Sequence, residues 1–339
     1  MSPKIPTSAE QLDFLRAQLA LGGVCRLVET HSSWVLLGTQ HVYKVKKPAC
    51  STLFDFSTPQ ARARNAREET RLNRRLAADV YLGVLALQWD GSLLHLVPEE
   101  ARNPAMATLD SVVWMKRLPD DAMVNTLLIC GSLTPRHVNA LMDVLVPFYR
   151  RADPAPCSGL AYVSHLRREQ AVNREVLCRP AFALPIAPTV LDRLDDALTL
   201  HEATIRQRAG RLVDGHGDLR PEHVCMLDPP VVIDALEFNA RLRQIDPFDE
   251  LAYLGLECTM AGAPWVAGQL ETLARQALAD EPPAPLWHLY AALRAALRAR
   301  LCAAHLLDEH PRTPDRWLPL AQRYLVQIAM ELKGMRATS

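Results

Sequence analysis

Two stretches, residues 213–224 and 231–238, hold acidic and histidine side chains that are candidates for catalysis. The first contains His216 and Asp218, and His223 follows five positions after Asp218; the second is an apolar run that reaches Asp234. Phosphoryl transfer from a metal-bound nucleotide needs one carboxylate for the proton of the attacking hydroxyl and another for the metal that bridges the phosphates. The pattern therefore favours Asp218 for the proton and Asp234 for the metal, with His223 able to share the metal.

The run His-Gly-Asp-Leu-Arg-Pro-Glu-His at residues 216–223 resembles the catalytic loop of the protein-kinase superfamily. With Gly217 directly after His216, the loop is similar to that of the aminoglycoside phosphotransferase-like branch, whose motif is His-Gly-Asp-x-x-x-x-Asn. Choline and fructosamine kinases are relatives in that branch. Residues 246–252 are similar to the Asp-Pro-x-x-Asp-Leu-Ala element of that branch. More narrowly, residues 42–48, 72–76 and 220–223 resemble the kinase-like half of bacterial two-part proteins that join such a domain to a P-loop ATPase. The resemblance covers residues 24–305.

The resemblance implies an α+β, bilobal protein-kinase-like fold, with a small antiparallel β-sheet N-lobe and a larger, mainly α-helical C-lobe. We expect residues 1–118 to form the N-lobe, with an N-terminal helix, a sheet and one αC-like helix, ending in a hinge. Residues 119–339 then form the helical C-lobe, which holds the catalytic loop at 214–224 and the metal-binding Asp234.

Within this resemblance Asp218 is the catalytic base, His216 braces the loop, and Arg220 stabilises charge on the transferred phosphate. An alternative is that Arg220 pairs with Glu222 instead. The family usually has Asn where this chain has His223, and a carbonyl oxygen suits Mg²⁺ better than an imidazole nitrogen. Either His223 binds the metal, with Mn²⁺ favoured, or the second metal site is weak.

The family binds ATP through a strand lysine, and Lys44 is that residue by motif. Lys44 and Lys46 alternate on a predicted strand and face one side, so a solvated strand face is the alternative. The resemblance favours Glu69 on the following helix as the carboxylate partner of Lys44, with a plain surface charge as the alternative. The resemblance also places Lys116 and Leu118 at the hinge, where their backbone groups bind the adenine edge.

The acceptor is expected to be a small hydroxylated molecule. Only eleven residues separate Asp234 from Asp246, and the long activation segment of protein kinases is absent, which disfavours a folded protein substrate. Substrate contacts are predicted in the residues that follow the metal-binding aspartate: Glu237, Asn239, Arg241 and Asp249. Arg294 and Arg298 share a helical face at i and i+4 and are anion-binding candidates, with packing and surface roles as the alternative.

Composition bounds the remaining classes. The chain has 339 residues, and 38 Lys and Arg balance 38 Asp and Glu, so neither nucleic acid nor a membrane surface is expected as a partner. The eight cysteines include no Cys-x-x-Cys pair, which favours reduced thiols in a cytoplasmic protein. Neither a signal peptide nor a membrane-spanning run is visible.

Local patterns place the elements around these residues. Helical spacing follows Ser8, and strands are predicted at 25–28, 34–37, 41–46, 84–88, 93–97 and 111–119, with 100–110 as a loop. A helix is predicted from Thr58-Pro59 to Leu76. Later helices are predicted from Pro135 and at 160–177, 188–208, 246–261, 264–279, 286–307 and 314–333.

The function that fits best is an ATP- and Mg²⁺-dependent kinase of a small hydroxyl compound. The absence of a Gly-x-Gly-x-x-Gly loop and the unusual His223 leave open a weakly catalytic, pseudokinase-like regulatory module that binds nucleotide. A protein kinase is a third possibility. The chain contains no Gly-x-x-x-x-Gly-Lys-[Ser/Thr], so a P-loop ATPase partner would be a separate protein.

Overall fold

The computed structural model describes residues 4–20, 23–51, 53–307 and 313–337. The chain divides into two compact units. The first, here called the sheet unit, comprises Met1–Met123 and Val231–Arg241; the second, the helical unit, comprises Val124–Pro230 and Leu242–Ser339. The short segment that contains Asp234 therefore belongs with the sheet. In the described residues no helix is both long and apolar enough to span a membrane.

The sheet unit is built on six antiparallel strands in the order β1-β2-β3-β6-β4-β5. Their bounds are β1 Arg26–Glu29, β2 Ser33–Leu37, β3 His41–Lys46, β4 Tyr81–Trp89, β5 Leu94–Pro98 and β6 Ala107–Lys116. The Asp90-Gly91 turn joins β4 to β5, and Gly91 adopts a φ of 102° that side chains rarely tolerate. The segment 231–241 contains β9, Val231–Val232, which lies outside the six-stranded sheet.

Two helices bury opposite faces of this sheet. Helix α1, Ser8–Ala20, packs Leu15 and Leu19 against Leu36 and Leu87. Helix α2, Pro59–Ala77, lies in the other cluster, which includes Val113 of the sheet. Full burial of one leucine stabilises the fold by about 1.5–3 kcal/mol, so these faces fix the position of α2 against the sheet.

The helical unit contains nine helices in its described residues. They are α3 Val124–Ile129, α4 Pro135–Arg151, α5 Gly159–Leu177, α6 Ala187–Leu200, α7 Glu202–Gln207, α8 Pro247–Met260, α9 Trp265–Leu278, α10 Ala284–Ala304 and α11 Pro314–Ala337. Two-residue strands β7, Val213–Asp214, and β10, Gln244–Ile245, pair antiparallel beside the loop of residues 216–223. Strand β8 is Val224–Cys225.

Most predicted elements are present, with three differences. The helix predicted at 188–208 is two helices, because His201 leaves helical geometry (φ −99°, ψ 10°) and its amide donates back to the end of α6. The loop predicted at 100–110 is partly strand, since β6 begins at Ala107. The short helix α3 was not predicted, because six residues are too few to show a helical period.

Candidate active site

In the sheet unit, Lys44 bridges two carboxylates. Its Nζ lies 2.8 Å from Oε1 of Glu69 and 2.5 Å from Oδ1 of Asp234. Glu69 is fully buried, whereas 42% of the Asp234 side chain is exposed. The lysine predicted to bind nucleotide, its predicted helix partner and the predicted metal ligand therefore lie together, with the exposed edge at Asp234.

Local sequence explains this arrangement. Thr58 caps α2 by accepting from the amide of Ala61, and the proline at position 59 suits the first helical turn. The apolar face of α2 packs on the sheet and brings Glu69 inward onto β3. Strand β3 directs Lys44 and Lys46 to the same side, as the alternation predicts.

Charge pairing governs the ionisation of this cluster. Burial alone lowers the pKa of Lys44, but the charges of Asp234 and Glu69 outweigh burial and hold the pKa well above its usual value. Burial would raise the pKa of Glu69, yet the ammonium groups of Lys44 and Lys46 bring it below its usual value. Lys44 and Glu69 are therefore both charged at neutral pH.

Lys46 is a second buried lysine whose role the sequence did not predict. Its Nζ lies 2.8 Å from Oε2 of Glu69 and 2.6 Å from Oε1 of Glu237, and only 4% of its side chain is exposed. Glu237 belongs to the segment that carries Asp234. Lys46 therefore ties this segment to β3 and to α2 at once.

The backbone around Asp234 is held in an unusual conformation. Asp234 has a φ of 65°, a left-handed geometry that costs an L-residue about 1–2 kcal/mol. Its amide donates to the hydroxyl oxygen of Tyr81 at 3.2 Å, and the amide of Ala235 donates to Oδ1 of Asn73 at 2.9 Å. These contacts fix the direction of the Asp234 carboxylate.

The connection between β1 and β2 is a tight turn. The Thr30 hydroxyl donates to the carbonyl of Ser33 and accepts from its amide, both at 3.0 Å. Lys47 donates to the carbonyl of Thr30 and pairs with Glu29, each at 2.6 Å. A side-chain-locked turn of this length offers fewer free backbone amides to phosphates than a glycine-rich loop does.

The two predicted hinge residues differ in their backbone partners. The amide of Lys116 donates to the carbonyl of Val80 at 2.9 Å, so it is committed within the sheet unit. Leu118 packs beside the core that includes Val113, and its amide finds no hydrogen-bond partner in the described part of the chain. Of the two amides, that of Leu118 is the one free to pair with a nucleobase.

In the helical unit, two side chains hold the Asp218 carboxylate by hydrogen bonds. Arg220 donates to Oδ2 at 2.8 Å, and the Tyr253 hydroxyl donates to Oδ1 at 3.3 Å. Arg220 also forms a close ion pair with Glu222, the pairing that the sequence left as the alternative. Asp218 is thus held from both sides, with 22% of its side chain still exposed.

A buried glutamate supports the loop from beneath. Oε1 of Glu250 accepts from the amides of His216 (3.0 Å) and Gly217 (2.5 Å), and Oε2 accepts from the hydroxyl of Tyr149 (2.8 Å). Glu250 occupies the second acidic place of the Asp-Pro-x-x-Asp-Leu-Ala element. Gly215 allows the close approach, since a Cβ there would meet Oε2 of Glu250 at 3.0 Å.

The two histidines of the loop both contact the Asp218 backbone. The Asp218 amide donates to Nδ1 of His216 at 3.3 Å, and His216 is buried, in keeping with a bracing role. Nδ1 of His223 lies 2.8 Å from the Asp218 carbonyl, which assigns its proton to Nδ1. Nε2 of His223 then faces Arg220 at 3.4 Å.

Asp218 is ionised at neutral pH. Burial would raise its pKa, but the charge of Arg220, followed by His223 and the hydrogen bond from Arg220, brings the pKa below its usual value. The carboxylate is therefore suited to accept a hydrogen bond from an acceptor hydroxyl and to orient it. A low pKa makes it a weak base, so its proton uptake must accompany bond formation rather than precede it.

The residues predicted to contact substrate have different surroundings. Glu237 is engaged by Lys46, and Oδ1 of Asn239 accepts from the amide of Arg241 at 3.0 Å. Asp249 is buried, and its two oxygens accept from Arg294 at 2.7 and 3.0 Å. Asn239 and Arg241 retain exposed surface, and all four substrate contacts stay predictions.

The donor set fits a hard cation at Asp234. Mg²⁺ prefers carboxylate and phosphate oxygens, and the half-exposed Asp234 supplies carboxylate oxygens beside Lys44. Within the described residues no group of three or more His, Cys, Asp or Glu side chains forms a preformed metal site. A Mg²⁺ ion held mainly by nucleotide phosphates needs only one or two protein carboxylates, so the residues present suit that mode.

Comparison with known proteins gives relatives of two kinds. No family model matches the chain. Uncharacterized proteins of Mycobacterium tuberculosis and Mycobacterium bovis are 28% identical over 315 residues, which is 90% of this chain and 60% of theirs. The chain therefore spans about three fifths of the length of these curated relatives.

Solved structures resemble the chain over nearly its whole length. The GDP and kanamycin complex of APH(2")-IIia has a TM-score of 0.53 at 14% identity and covers 96% of this chain and 98% of its own. The aminoglycoside phosphotransferase APH(4)-Ia has a TM-score of 0.53 at 10% identity, with coverage of 96% and 99%. A choline/ethanolamine kinase family protein from Mesorhizobium loti has 0.50 at 15% identity, again with 96% and 99%.

These likenesses show the fold. The chain has the protein-kinase-like fold that aminoglycoside phosphotransferases and choline/ethanolamine kinases share, with a six-stranded antiparallel sheet and a helical majority. The fold class predicted from the catalytic-loop motif is confirmed.

Proposed function

We propose that the chain is an ATP-dependent phosphotransferase that moves the γ-phosphate to a hydroxyl of a small molecule. The observation that carries the proposal is the bridge of Lys44 between Glu69 and Asp234, because a strand lysine paired in this way is suited to bind nucleotide phosphates. The solved structures that share the fold are of phosphotransferases and kinases, which supports the same class.

Each residue has a distinct task in this proposal. Lys44 binds the phosphates, Glu69 orients Lys44, and Asp234 holds Mg²⁺, with His223 as a second metal contact that would favour Mn²⁺. The amide of Leu118 and the carbonyl of Lys116 pair with the nucleobase. Bound ATP with Mg²⁺ supplies the phosphoryl group: the acceptor oxygen bonds to the γ-phosphorus as the bond to the bridging oxygen breaks, and ADP leaves with that electron pair.

The helical unit supplies the groups that act on the acceptor. Asp218 orients the acceptor hydroxyl and takes its proton as the new bond forms, while Tyr253 and Arg220 keep the carboxylate in place. Arg220 also offsets negative charge on the transferred group. His216 and Glu250 maintain the loop geometry.

The test is nucleotide consumption across sugars, amino alcohols and nucleosides, with ATP and GTP and with Mg²⁺ and Mn²⁺. Wild type is compared with Asp218→Asn, which keeps the size of the side chain and removes its charge. We expect acceptor-dependent ADP release in wild type and a loss of about 100-fold or more in the variant. Equal rates in the two proteins would overturn the proposal.

A regulatory nucleotide-binding module is the second candidate, and the locked turn at Thr30–Ser33 favours it because few backbone amides there are free for phosphates. It predicts thermal stabilisation by ATP and Mg²⁺ without turnover on any acceptor. Phosphoprotein mass spectrometry after incubation with ATP tests the protein-kinase alternative.

We also propose a separate P-loop ATPase as a partner and the cytoplasm as the location. The mycobacterial relatives extend beyond the matched region, which is where a fused second domain would lie. All eight cysteines are free thiols, as expected in a reducing compartment. Co-purification with ATPases from the same genome and cell fractionation test the two points.

A further inference from the structure

Two facing helices of the helical unit carry a row of matched side chains. Helix α8 presents Asp249, Tyr253 and Glu257 at intervals of four residues. They therefore lie along one face of the helix, with about 5–6 Å between each one and the next. Helix α10 presents Arg294 and Arg298 with the same spacing. Arg294 donates to both oxygens of Asp249, and Nε of Arg298 donates to Glu257 at 3.1 Å.

The carboxylate of Asp218 is hydrogen-bonded to the middle residue of this row. Tyr253 donates its hydroxyl to Asp218, and the guanidinium of Arg294 lies 5.1 Å from the centre of the Tyr253 ring. Glu257 lies one helical turn further along α8, and its partner Arg298 lies on α10. An acceptor whose hydroxyl rests on Asp218 therefore extends within reach of Arg298 if it runs along this face.

Arg298 differs from Arg294 in how many of its donors are used. A guanidinium has five N–H groups. Arg294 uses Nε and Nη2 on Asp249, whereas Arg298 uses Nε alone, shared between Glu257 and the Tyr324 hydroxyl oxygen at 3.4 Å. In the described residues neither terminal nitrogen of Arg298 has a hydrogen-bond partner, although its side chain is only 18% exposed.

Arg298 pairs with one carboxylate, that of Glu257, in the described residues. Burial raises the pKa of Glu257, although the charge of Arg298 and a hydrogen bond from Tyr324 oppose the change. The other carboxylates nearby, Asp218 and Glu222, are both paired with Arg220. Arg298 is therefore a permanent cation whose carboxylate partner, Glu257, is buried and also accepts from a tyrosine hydroxyl.

We propose that the acceptor carries an anionic group, a carboxylate or a phosphate, and that Arg298 binds it through its terminal nitrogens. The planar fork of arginine suits bidentate pairing with such groups. This inference rests on the proposed phosphotransferase function and names its substrate class: a hydroxylated acid or phosphate rather than an amino sugar or a neutral polyol. Arg298 is then the residue that sets specificity.

The experiment uses matched sets of hydroxylated compounds in which one position is neutral, carboxylate, phosphate or amine. Calorimetry measures binding of each set in the presence of Mg²⁺ and a non-hydrolysable ATP analogue, and steady-state kinetics measures KM and kcat. We expect the carboxylate or phosphate member to bind best. The preference between these two shows whether the anionic group of the acceptor is a carboxylate or a phosphate. Arg298→Gln should raise Kd or KM for that member at least 10-fold and change kcat less than 3-fold.

Two further variants guard against a folding effect. Arg298→Lys keeps the charge and loses the fork, so it should restore part of the binding. Arg300→Gln is the matched control, since Arg300 pairs with Glu169 at 2.8 Å and stands on another side of α10; it should leave KM unchanged. Thermal melts confirm that each variant is folded.

The inference is overturned if neutral or amine members bind as well as the acids, or if no acidic member binds in a way that depends on Arg298. Failure of the proposed function has a different signature. ATP with Mg²⁺ would then give no thermal stabilisation, and Asp218→Asn would turn over nucleotide as fast as wild type.

Discussion

The hydroxyl of Tyr253 donates to Oδ1 of Asp218 at 3.3 Å, which links helix α8 to the loop of residues 216–223. Tyr253 is buried, and burial together with the neighbouring carboxylate holds its pKa well above the usual value, so it remains a neutral donor. The carboxylate thus has one oxygen toward Tyr253 and the other toward Arg220.

Replacing Tyr253 with Phe should reduce kcat about 3- to 10-fold, because Asp218 loses one of the two groups that direct it. The ring and its packing remain, so the free energy of unfolding should fall by only about 1 kcal/mol. Steady-state kinetics and urea unfolding measure the two effects. Tyr324→Phe removes a hydroxyl from the same unit without touching Asp218 and serves as control; an equal loss of kcat in both would contradict the role given to Tyr253.

Removing Arg220 should make stability depend differently on pH. The pKa of Asp218 is lower in the folded chain than in the unfolded one, so its pairing stabilises the fold above about pH 4 and the benefit is lost as pH falls through the folded pKa. Arg220→Gln should therefore lower the free energy of unfolding at pH 7 by about 1.5–3 kcal/mol. The difference from wild type should shrink in acid, and a difference that stays constant from pH 7 to pH 3 would contradict this account.

Substitution by Met should mainly reduce stability at Lys46 and mainly abolish turnover at Lys44. Lys46→Met leaves Glu69 and Glu237 without their shared buried cation, and we expect a loss of about 3–5 kcal/mol in stability. Lys44→Met should affect stability less, because Glu69 keeps Lys46 as a partner and 42% of the Asp234 side chain is already exposed, but it should abolish nucleotide turnover. Thermal unfolding and ADP release distinguish them; a Lys44→Met protein with normal turnover would remove Lys44 from the site.

Sequence reasoning identified candidate residues that stand in motifs and missed contacts that depend on packing. Lys44, Glu69, Asp218 and Asp234 occupy motif positions, and the structure brings the first two together with Asp234. Tyr253 is 35 positions from the aspartate it contacts, and only the seating of α8 brings the two together. No period or motif in one sequence reports such a contact.

Some missed contacts did leave a signal. Glu250 stands at the second acidic position of the 246–252 element, so its support of the loop could have been inferred from the motif. Lys46 shares its strand face with Lys44, and that alternation predicted a common direction but not a common carboxylate. The break at His201 had no such signal, because the hydrophobic period continues across it.

Gly215 should be intolerant of any side chain. An added Cβ would lie 2.6 Å from Cγ2 of Ile245 and 3.0 Å from Oε2 of Glu250, so either the strand pair or the glutamate must shift. Gly215→Ala should lower stability by about 1–3 kcal/mol and reduce turnover, since Glu250 holds the loop amides. Gly210→Ala is the control, because a Cβ there meets nothing within 4 Å; similar losses in both variants would show that the contact is not the cause.

The His223 position tests how the metal is held. Nε2 of His223 faces the Arg220 guanidinium, and a metal ion bound at that nitrogen would have to displace or approach a cation, which weakens the site. His223→Asn replaces the imidazole with a carbonyl oxygen, the donor that Mg²⁺ prefers. We expect turnover with Mg²⁺ to be kept or raised in this variant and the ratio of Mn²⁺ to Mg²⁺ activity to fall at least 3-fold, with chelator abolishing activity in both proteins. If the ratio is unchanged while the variant stays folded, His223 is not a metal ligand, and its bond to the Asp218 carbonyl is its whole contribution to the loop.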